Sequence, residues 1–306
     1  IKTFGSANKV NIQVFNDLQH TITGWPGGKP HADDTTRPER AFPYPKRVLI
    51  FSPHPDDDVI SMGGTFARLV EQGHDVHVAY ETSGNIAVLD DYIYQQMDIA
   101  AAFTHLVGGD TQTMDAAFEK VKQIIADRKP EDDEPEELLP FKGALRRAEA
   151  RGADRYLGIP EDHVHFLNLP FYETGSVKKK PLSQADIDII VKLLREVQPH
   201  QIYAAGDLAD PHGTHGVCLD AILKAYDIVC EDEWFKNCYT WWYRGAWMEW
   251  EIEKVDMAVP ISPEELRAKR NSILKHQSQM ESAPFLGNDE RLFWQRSEDR
   301  NRGTAT

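Results

Sequence analysis

From Val48 to Thr65 the chain reads VLIFSPHPDDDVISMGGT. His54 and Asp57 stand three residues apart, across a turn whose backbone Pro55 restricts. An imidazole and a carboxylate aimed at one centre suit a borderline cation such as Zn2+. A divalent cation would also relieve the repulsion among Asp56, Asp57 and Asp58. Asp58 has a simpler role open to it. At the start of a helix a carboxylate caps exposed N–H groups and meets the positive end of the dipole. Taken alone, the whole run also fits a solvated helix cap.

A second stretch, AAGDLADPHGTHGVCLDAI from Ala204 to Ile222, shifts that balance. His212 and His215 are three apart where a helix is expected to open, a spacing that puts both on one face. A catalytic zinc site needs three protein ligands and an open position for water. His54, Asp57 and one of His212 or His215 would supply the three. Such a cation lowers the pKa of a bound water and polarises a carbonyl. Asp56 is then left as a carboxylate that can take the proton. The remaining histidine can hydrogen-bond a developing oxyanion or protonate a leaving group.

These groups need elements that deliver them to one place. Arg47 to Ser52 predicts a short buried strand, with Val48, Leu49, Ile50 and Phe51 continuous, as in a parallel strand covered on both faces. Asp58 to Gln72 predicts a helix ended by Gly73, and Asp75 to Thr82 a second strand, which together make a βαβ unit. Further strands are expected at 163–167, 200–205 and 238–243, with a helix over 184–196. The alternation predicts an α/β fold, a Rossmann-like three-layer sandwich with a mostly parallel sheet. Ligands in such sheets bind beyond the carboxyl ends of the strands, and both motifs follow strands. Residues 1–45 are expected to form an arm and linker, with a polar helix to about residue 22 and a Pro- and Gly-rich segment over 24–45. The functional domain is expected over 46–306. It carries a helical and acidic insertion at about 86–145, in which 91–128 is helical and KPEDDEPEELLP a solvated connector. The tail over 298–306 is expected to fray.

Composition narrows the class. The 306 residues suffice for a sizeable core, and 41% are hydrophobic. A net charge of −15 argues against nucleic acid or an anionic membrane surface as partner. No apolar run approaches the roughly 18 residues needed to span a bilayer. Cys218, Cys230 and Cys238 form no CxxC pair, and a cytoplasmic, reducing compartment is expected. A chain that begins at Ile1 is expected to be a processed form or part of a longer protein.

PHPDDD and HGTH resemble the two signature motifs of the LmbE-like or PIG-L family of zinc-dependent de-N-acetylases. ETSGN (81–85) resembles the family's T-x-G turn. RRAEARGADRYLGIPEDHVHFLNLP (146–170) resembles its R-x-x-E…LG…F-L-x-L-P segment, and KRNSILKHQSQ (269–279) its late H-x-S-Q pattern. The resemblance covers roughly Lys46 to Met280. It implies His54, Asp57 and His215 as zinc ligands, Asp56 as general base, and His212 as electrostatic stabiliser or acid. Gly213 and Thr214 stand where the family usually has Pro and Asp. Asp210 stands where some members place a tyrosine. The chain is also similar to the LmbE-like portion of proteins that carry a glucosamine-6-phosphate-deaminase-like domain.

Other residues are weighed on their own chemistry. Asn85 is a candidate for binding sugar hydroxyls, or a turn residue. Arg147 and Glu149 fit a structural ion pair, the aromatic run Tyr239–Trp250 a packed strand, and His276 a helix-packing residue. The expected activity is zinc-dependent removal of an acetyl group from an N-acetylated amino sugar or related small molecule. The alternatives are metal-dependent hydrolysis of another ester or phosphoester, and a non-catalytic metal-binding regulatory module. Expected partners are the small N-acetylated substrate, further copies in a homo-oligomer, and a fused or partner amino-sugar-phosphate deaminase domain.

Overall fold

Strand β1 (Arg47–Ser52) is the apolar run read from the sequence, and Val48, Leu49, Ile50 and Phe51 are all fully buried. Side chains alternate faces along a strand. Val48 and Ile50 therefore enter one core and Leu49 and Phe51 another, on opposite sides of the sheet. β1 is hydrogen-bonded on both edges, in parallel to β2 (Asp75–Tyr80) and to β4 (Gln201–Ala205). β3 (Val164–Phe166) pairs with β2, and β5 (Tyr239–Tyr243) with β4, again in parallel. The order β3-β2-β1-β4-β5 reverses direction between β1 and β4. In an open α/β sheet that reversal opens a crevice at the carboxyl ends of the two strands.

The computed structural model describes residues 5–7, 9–10, 43–129, 133–176, 178–280 and 291–305. The arm and polar helix expected before residue 45 lie almost wholly outside these.

Helices cover both faces, which makes the fold a three-layer α/β sandwich. On one side lie α1 (Asp57–Glu71), α4 (Leu139–Leu157), α7 (Pro263–Ile273) and α8 (Phe293–Ala305), contributing Val59, Phe66, Ala153 and Ile273 to the first core. On the other lie α5 (Gln184–Val197) and α6 (Thr214–Val229), contributing Ile190, Leu194, Ile222 and Ala225 to the second. No helix among the described residues is long and apolar enough to cross a membrane.

One expectation is refined and one corrected. The helical segment over 91–128 is divided into two helices, α2 (Asp90–Leu106) and α3 (Thr111–Asp127). Gly108 takes a left-handed φ of 69°, open to glycine without a side-chain penalty, and ends the first helix. Asp110 then caps the second by accepting from the Thr113 N–H at 3.0 Å. The tail is not frayed either, since residues 293–305 form α8. Ser297 donates to the Ile60 carbonyl at 2.6 Å and Arg300 to the Gly245 carbonyl at 2.6 Å, which ties that helix to the first core.

The insertion is fastened by charge. Lys142, only 1% exposed, lies 2.9 Å from Asp90 and 2.7 Å from Glu134, and Arg128 reaches the same two carboxylates. Burying these cations is tolerable because each is paired.

Leu49→Ala removes a fully buried side chain from the central strand, and should cost about 2–5 kcal/mol in urea unfolding. Leu106→Ala, at an exposed position on α2, should stay within about 0.5 kcal/mol of the parent.

Candidate metal centre and active site

The β1–β2 pairing continues past the strands and holds the acidic loop in place. Glu81 N–H donates to the Ser52 carbonyl at 2.9 Å, and Thr82 donates to the Pro53 carbonyl through its N–H at 3.1 Å and its hydroxyl at 2.7 Å. The chain then turns sharply, with the His54 carbonyl accepting from the N–H groups of Asp56 (2.9 Å) and Asp57 (3.3 Å). Asp56 has φ 152° and ψ −22°, a conformation that costs a non-glycine residue about 1–3 kcal/mol. Such strain persists only where the surroundings impose it.

Asp58 does not cap the helix. Asp56 occupies the cap position without a side-chain cap bond, and the Asp58 carboxyl is fully buried. It accepts from Ser52 Oγ at 3.1 Å and from the Tyr80 hydroxyl at 3.2 Å. Tyr80 also reaches Asp154 at 3.0 Å. Burial pushes the Asp58 carboxyl up to about 7 against the pull of Ser52. The third aspartate thus braces the loop from below.

Asp57 Oδ2 lies 3.1 Å from His54 Nδ1 and 3.1 Å from His215 Nε2. His54 comes from the loop after β1 and His215 from the first turn of α6 after β4, so the crevice between these strands joins the two motifs. His215 is oriented from behind: its Nδ1 is 2.8 Å from the Asp207 carbonyl, which fixes Nδ1 as the donor and leaves Nε2 facing Asp57. That buried Nε2 is close to Asp57 without hydrogen-bond geometry to any described residue. Burial opposes charge on both partners, but their mutual attraction outweighs it. His215 is pushed up to about 9, and Asp57 is held well below the usual carboxylate range by His215 and His54. The pocket is built around positive charge. His54 Nδ1, an Asp57 oxygen and His215 Nε2 lie within 4.8 Å of one another, a donor set that fits a borderline divalent cation.

Asp56, next in the loop, is buried, and desolvation pushes it up to about 6 although Arg146 pulls it down. Arg146, on α4 and 1% exposed, lies 3.3 Å from Asp56 Oδ1 and donates to the Pro55 carbonyl at 2.8 Å. Gly84 makes room for it. With φ 62°, it would put an added Cβ 3.0 Å from Arg146 Nε and 3.2 Å from Pro55 Cδ. Arg147, by contrast, turns away to Asn168 (2.8 Å), and Glu149 accepts from Ser278 N–H and Oγ at 2.7 and 2.6 Å. The Arg147–Glu149 ion pair expected from the sequence therefore does not form. The arginine that reaches Asp56 is its neighbour, Arg146, whose only sequence signal is the R-x-x-E spacing from Arg146 to Glu149.

Two buried groups lie near this centre. His276 is fully buried with neither ring nitrogen hydrogen-bonded to a described residue. Burial, reinforced by Arg146, pushes it down to about 3. Glu81 is fully buried beside the Cys218 thiol, and burial pushes it up to about 8.

At the mouth, half-buried His212 stands in the Asp210–Gly213 turn, and burial together with His54 holds its pKa below the ordinary value. Asp210 accepts from the N–H groups of Thr214 (2.7 Å) and His215 (3.3 Å), so it caps α6 where some relatives have tyrosine. Tyr172 meets the His54 ring edge-on at 5.8 Å, and Lys179 sits 3.6 Å above the Tyr172 ring. Neither Tyr172 nor Lys179 has a local motif; both follow β3 and reach the site through the sheet. Asn85 is buried, and its amide donates to Glu173 at 3.0 Å, a turn position rather than one open to solvent.

The family described as "PIG-L: GlcNAc-PI de-N-acetylase" matches residues 49–226, more than half of the chain. A glucosamine-6-phosphate deaminase-like protein of Bacteroides thetaiotaomicron is 65% identical over 99% of this chain, which spans 46% of that relative's length. N,N'-diacetylchitobiose deacetylase from Pyrococcus horikoshii has the same fold, with a TM-score of 0.50 and 19% identity over 85% of this chain and 77% of its own. GalB, the 4-carboxy-2-hydroxymuconate hydratase of a Pseudomonas, aligns with a TM-score of 0.48 and 17% identity over 85% of this chain and 87% of its own.

Arg146→Met leaves Asp56 buried without its cation, and should cost roughly 3–5 kcal/mol in chemical unfolding. His276 stays neutral in the fold while the unfolded chain takes a proton below its ordinary value of 6.5. Its contribution to stability is therefore lost as pH falls from about 6.5 towards 3, amounting to roughly 2 kcal/mol at pH 5. His276→Asn should flatten this part of the stability–pH curve, measured by urea unfolding at a series of pH values.

Proposed function

The chain belongs to the PIG-L, or GlcNAc-PI de-N-acetylase, family, and on that premise we propose that it is a zinc-dependent hydrolase removing an acetyl group from an N-acetylated amino sugar or related small molecule. One observation carries this reading. A strained, buried Asp56, held by Arg146, adjoins the His54–Asp57–His215 cluster in the crevice of the sheet. Holding a metal does not require Asp56, whereas amide hydrolysis requires a base at that place.

The residues fit a zinc ion. Two imidazole nitrogens and a carboxylate leave a fourth position free, and the buried, unpartnered Nε2 of His215 faces the centre. His54 Nδ1, Asp57 and His215 Nε2 would hold the ion, which when bound acts as a Lewis acid towards a carbonyl and lowers the pKa of a water. Asp56 takes the proton of the attacking water. Its raised pKa brings it towards the range in which it can both accept and return a proton. His212, at the mouth, donates a hydrogen bond to the carbonyl oxygen as that oxygen gains charge. The C–N bond breaks as the amine takes a proton from Asp56 or His212, giving acetate and the free amine. Lys179, half-buried over the Tyr172 ring that backs His54, offers a cation for an anionic or hydroxylated substrate.

The amino-sugar class draws support from the relative in Bacteroides thetaiotaomicron, named for a likeness to glucosamine-6-phosphate deaminase. Deacetylation frees the amine on which a deaminase would act, so a deaminase-like domain in the same protein is a chemically coherent partner. Assembly into a homo-oligomer is part of the same proposal.

Purified protein should contain zinc by elemental analysis and release acetate from N-acetylated sugars or sugar phosphates. Zinc absent from folded protein prepared without chelator, or no acetate from the panel, would count against the proposal. Dialysis against a chelator should abolish acetate release, and added Zn2+ should restore it. Asp56→Asn should lower kcat by about 10²–10⁴-fold with zinc content unchanged. A full rate with zinc bound would remove Asp56 from the role of base.

A further inference from the structure

A second group of metal-binding side chains gathers at the other end of the sheet. Asp75 opens β2 and His77 follows on the same face. His163 ends the helical turn Glu161–His163, and His165 lies in the neighbouring strand β3. His77 stacks on His163 with ring centroids 4.0 Å apart and on His165 at 5.3 Å. The first cluster lies beyond the carboxyl ends of the strands and this one at their amino ends. A strand of this length separates them by about 17–20 Å.

We propose that Asp75, His77 and His163 form a second divalent-metal site, taking Zn2+ or a similar borderline cation, that fastens the edge strand β3 to β2. The spacing carries the proposal. Ligands about 2.0–2.2 Å from a tetrahedral zinc stand about 3.3–3.6 Å from one another. Asp75 Oδ1 is 3.5 Å from His77 Nε2 and 3.4 Å from His163 Nδ1, and the three donor atoms all lie within 4.8 Å of one another. These separations are too long for good hydrogen bonds and right for atoms sharing an ion.

The surroundings prepare His77 as a ligand. Its Nδ1 lies 3.0 Å from His165 Nε2. With the proton on His77 Nδ1, His165 accepts it, and the His77 Nε2 lone pair points towards Asp75. That tautomer leaves Nε2 able to accept a cation, and the His165 contact matches the outer hydrogen bond that metal-bound histidines make. One contact opposes binding. His163 Nδ1 is 3.2 Å from the Val76 carbonyl and must give up that hydrogen bond. The site is therefore weaker than the His54–Asp57–His215 centre. With side-chain exposures of 14% for His77, 24% for His163 and 38% for Asp75, an ion can enter from solvent and keep water as its fourth ligand. The proposed role is structural, because the ion would join β2 to the turn that leads into β3.

The test is Zn2+ titration of the whole metal-free chain by calorimetry, with Co2+ absorption as a second readout of coordination geometry. The parent chain should bind two equivalents, the second at least tenfold more weakly. His77→Gln and the milder Asp75→Asn should each bind one equivalent and keep the parent's acetate release. His215→Ala should still bind one equivalent, show tetrahedral Co2+ bands, and gain Tm on adding Zn2+, a gain lost in the His77→Gln/His215→Ala double variant. Two equivalents bound by both His77→Gln and Asp75→Asn, or none by folded His215→Ala, would overturn the proposal.

Discussion

The parallel pairing of β4 against β1 is the constraint on which the candidate site depends. β1 sends its chain onward to β2 on one side, while β4 returns on the other. Because strand order reverses there, the loops leaving β1 and β4 are not drawn across each other and can both open into one crevice. His54 and Asp57 arrive from one loop and His215 from the start of α6 after the other, more than 150 residues later in the chain. Ladder bonds that run past the strand ends, from Glu81 and Thr82 to Ser52 and Pro53, prevent the first loop from relaxing.

Charge balance sets how that crevice is finished. Four acidic groups, Asp56, Asp57, Asp58 and Glu81, are all buried within one small region. Burial alone pushes each towards its neutral form, and the protein answers each one differently. Asp57 is given histidines, Asp56 the Arg146 guanidinium, and Asp58 the hydroxyls of Ser52 and Tyr80. Glu81 meets the weakly donating Cys218 thiol, and burial pushes it up to about 8. An identical side chain thus takes on distinct acidities over a few residues of one loop, set by the partner each one meets.

Much of this was legible along the chain because the signals are local. A continuous apolar run, a proline turn and a helix start place PHPDDD at a strand end without any knowledge of the rest. HGTH repeats the pattern after β4. The failures share a cause. Asp58 has the position of a helix cap, but Tyr80 and Ser52 draw it inward. Arg147 was taken for the partner in an ion pair, yet one residue's rotation along α4 puts Arg146 against Asp56 instead. Contacts to Ile60 and Gly245 order a tail whose own composition is polar.

The sequence by itself determined the alternation of strands and helices, the two motifs and the kind of chemistry their side chains can do, because each is encoded within a few residues. Only the tertiary structure decided which histidine faces Asp57, which arginine holds Asp56, and that Tyr172 and Lys179 stack behind His54. Those choices turn on helix rotation, burial and strand order, and each depends on contacts between segments distant in the chain, for which no local pattern exists.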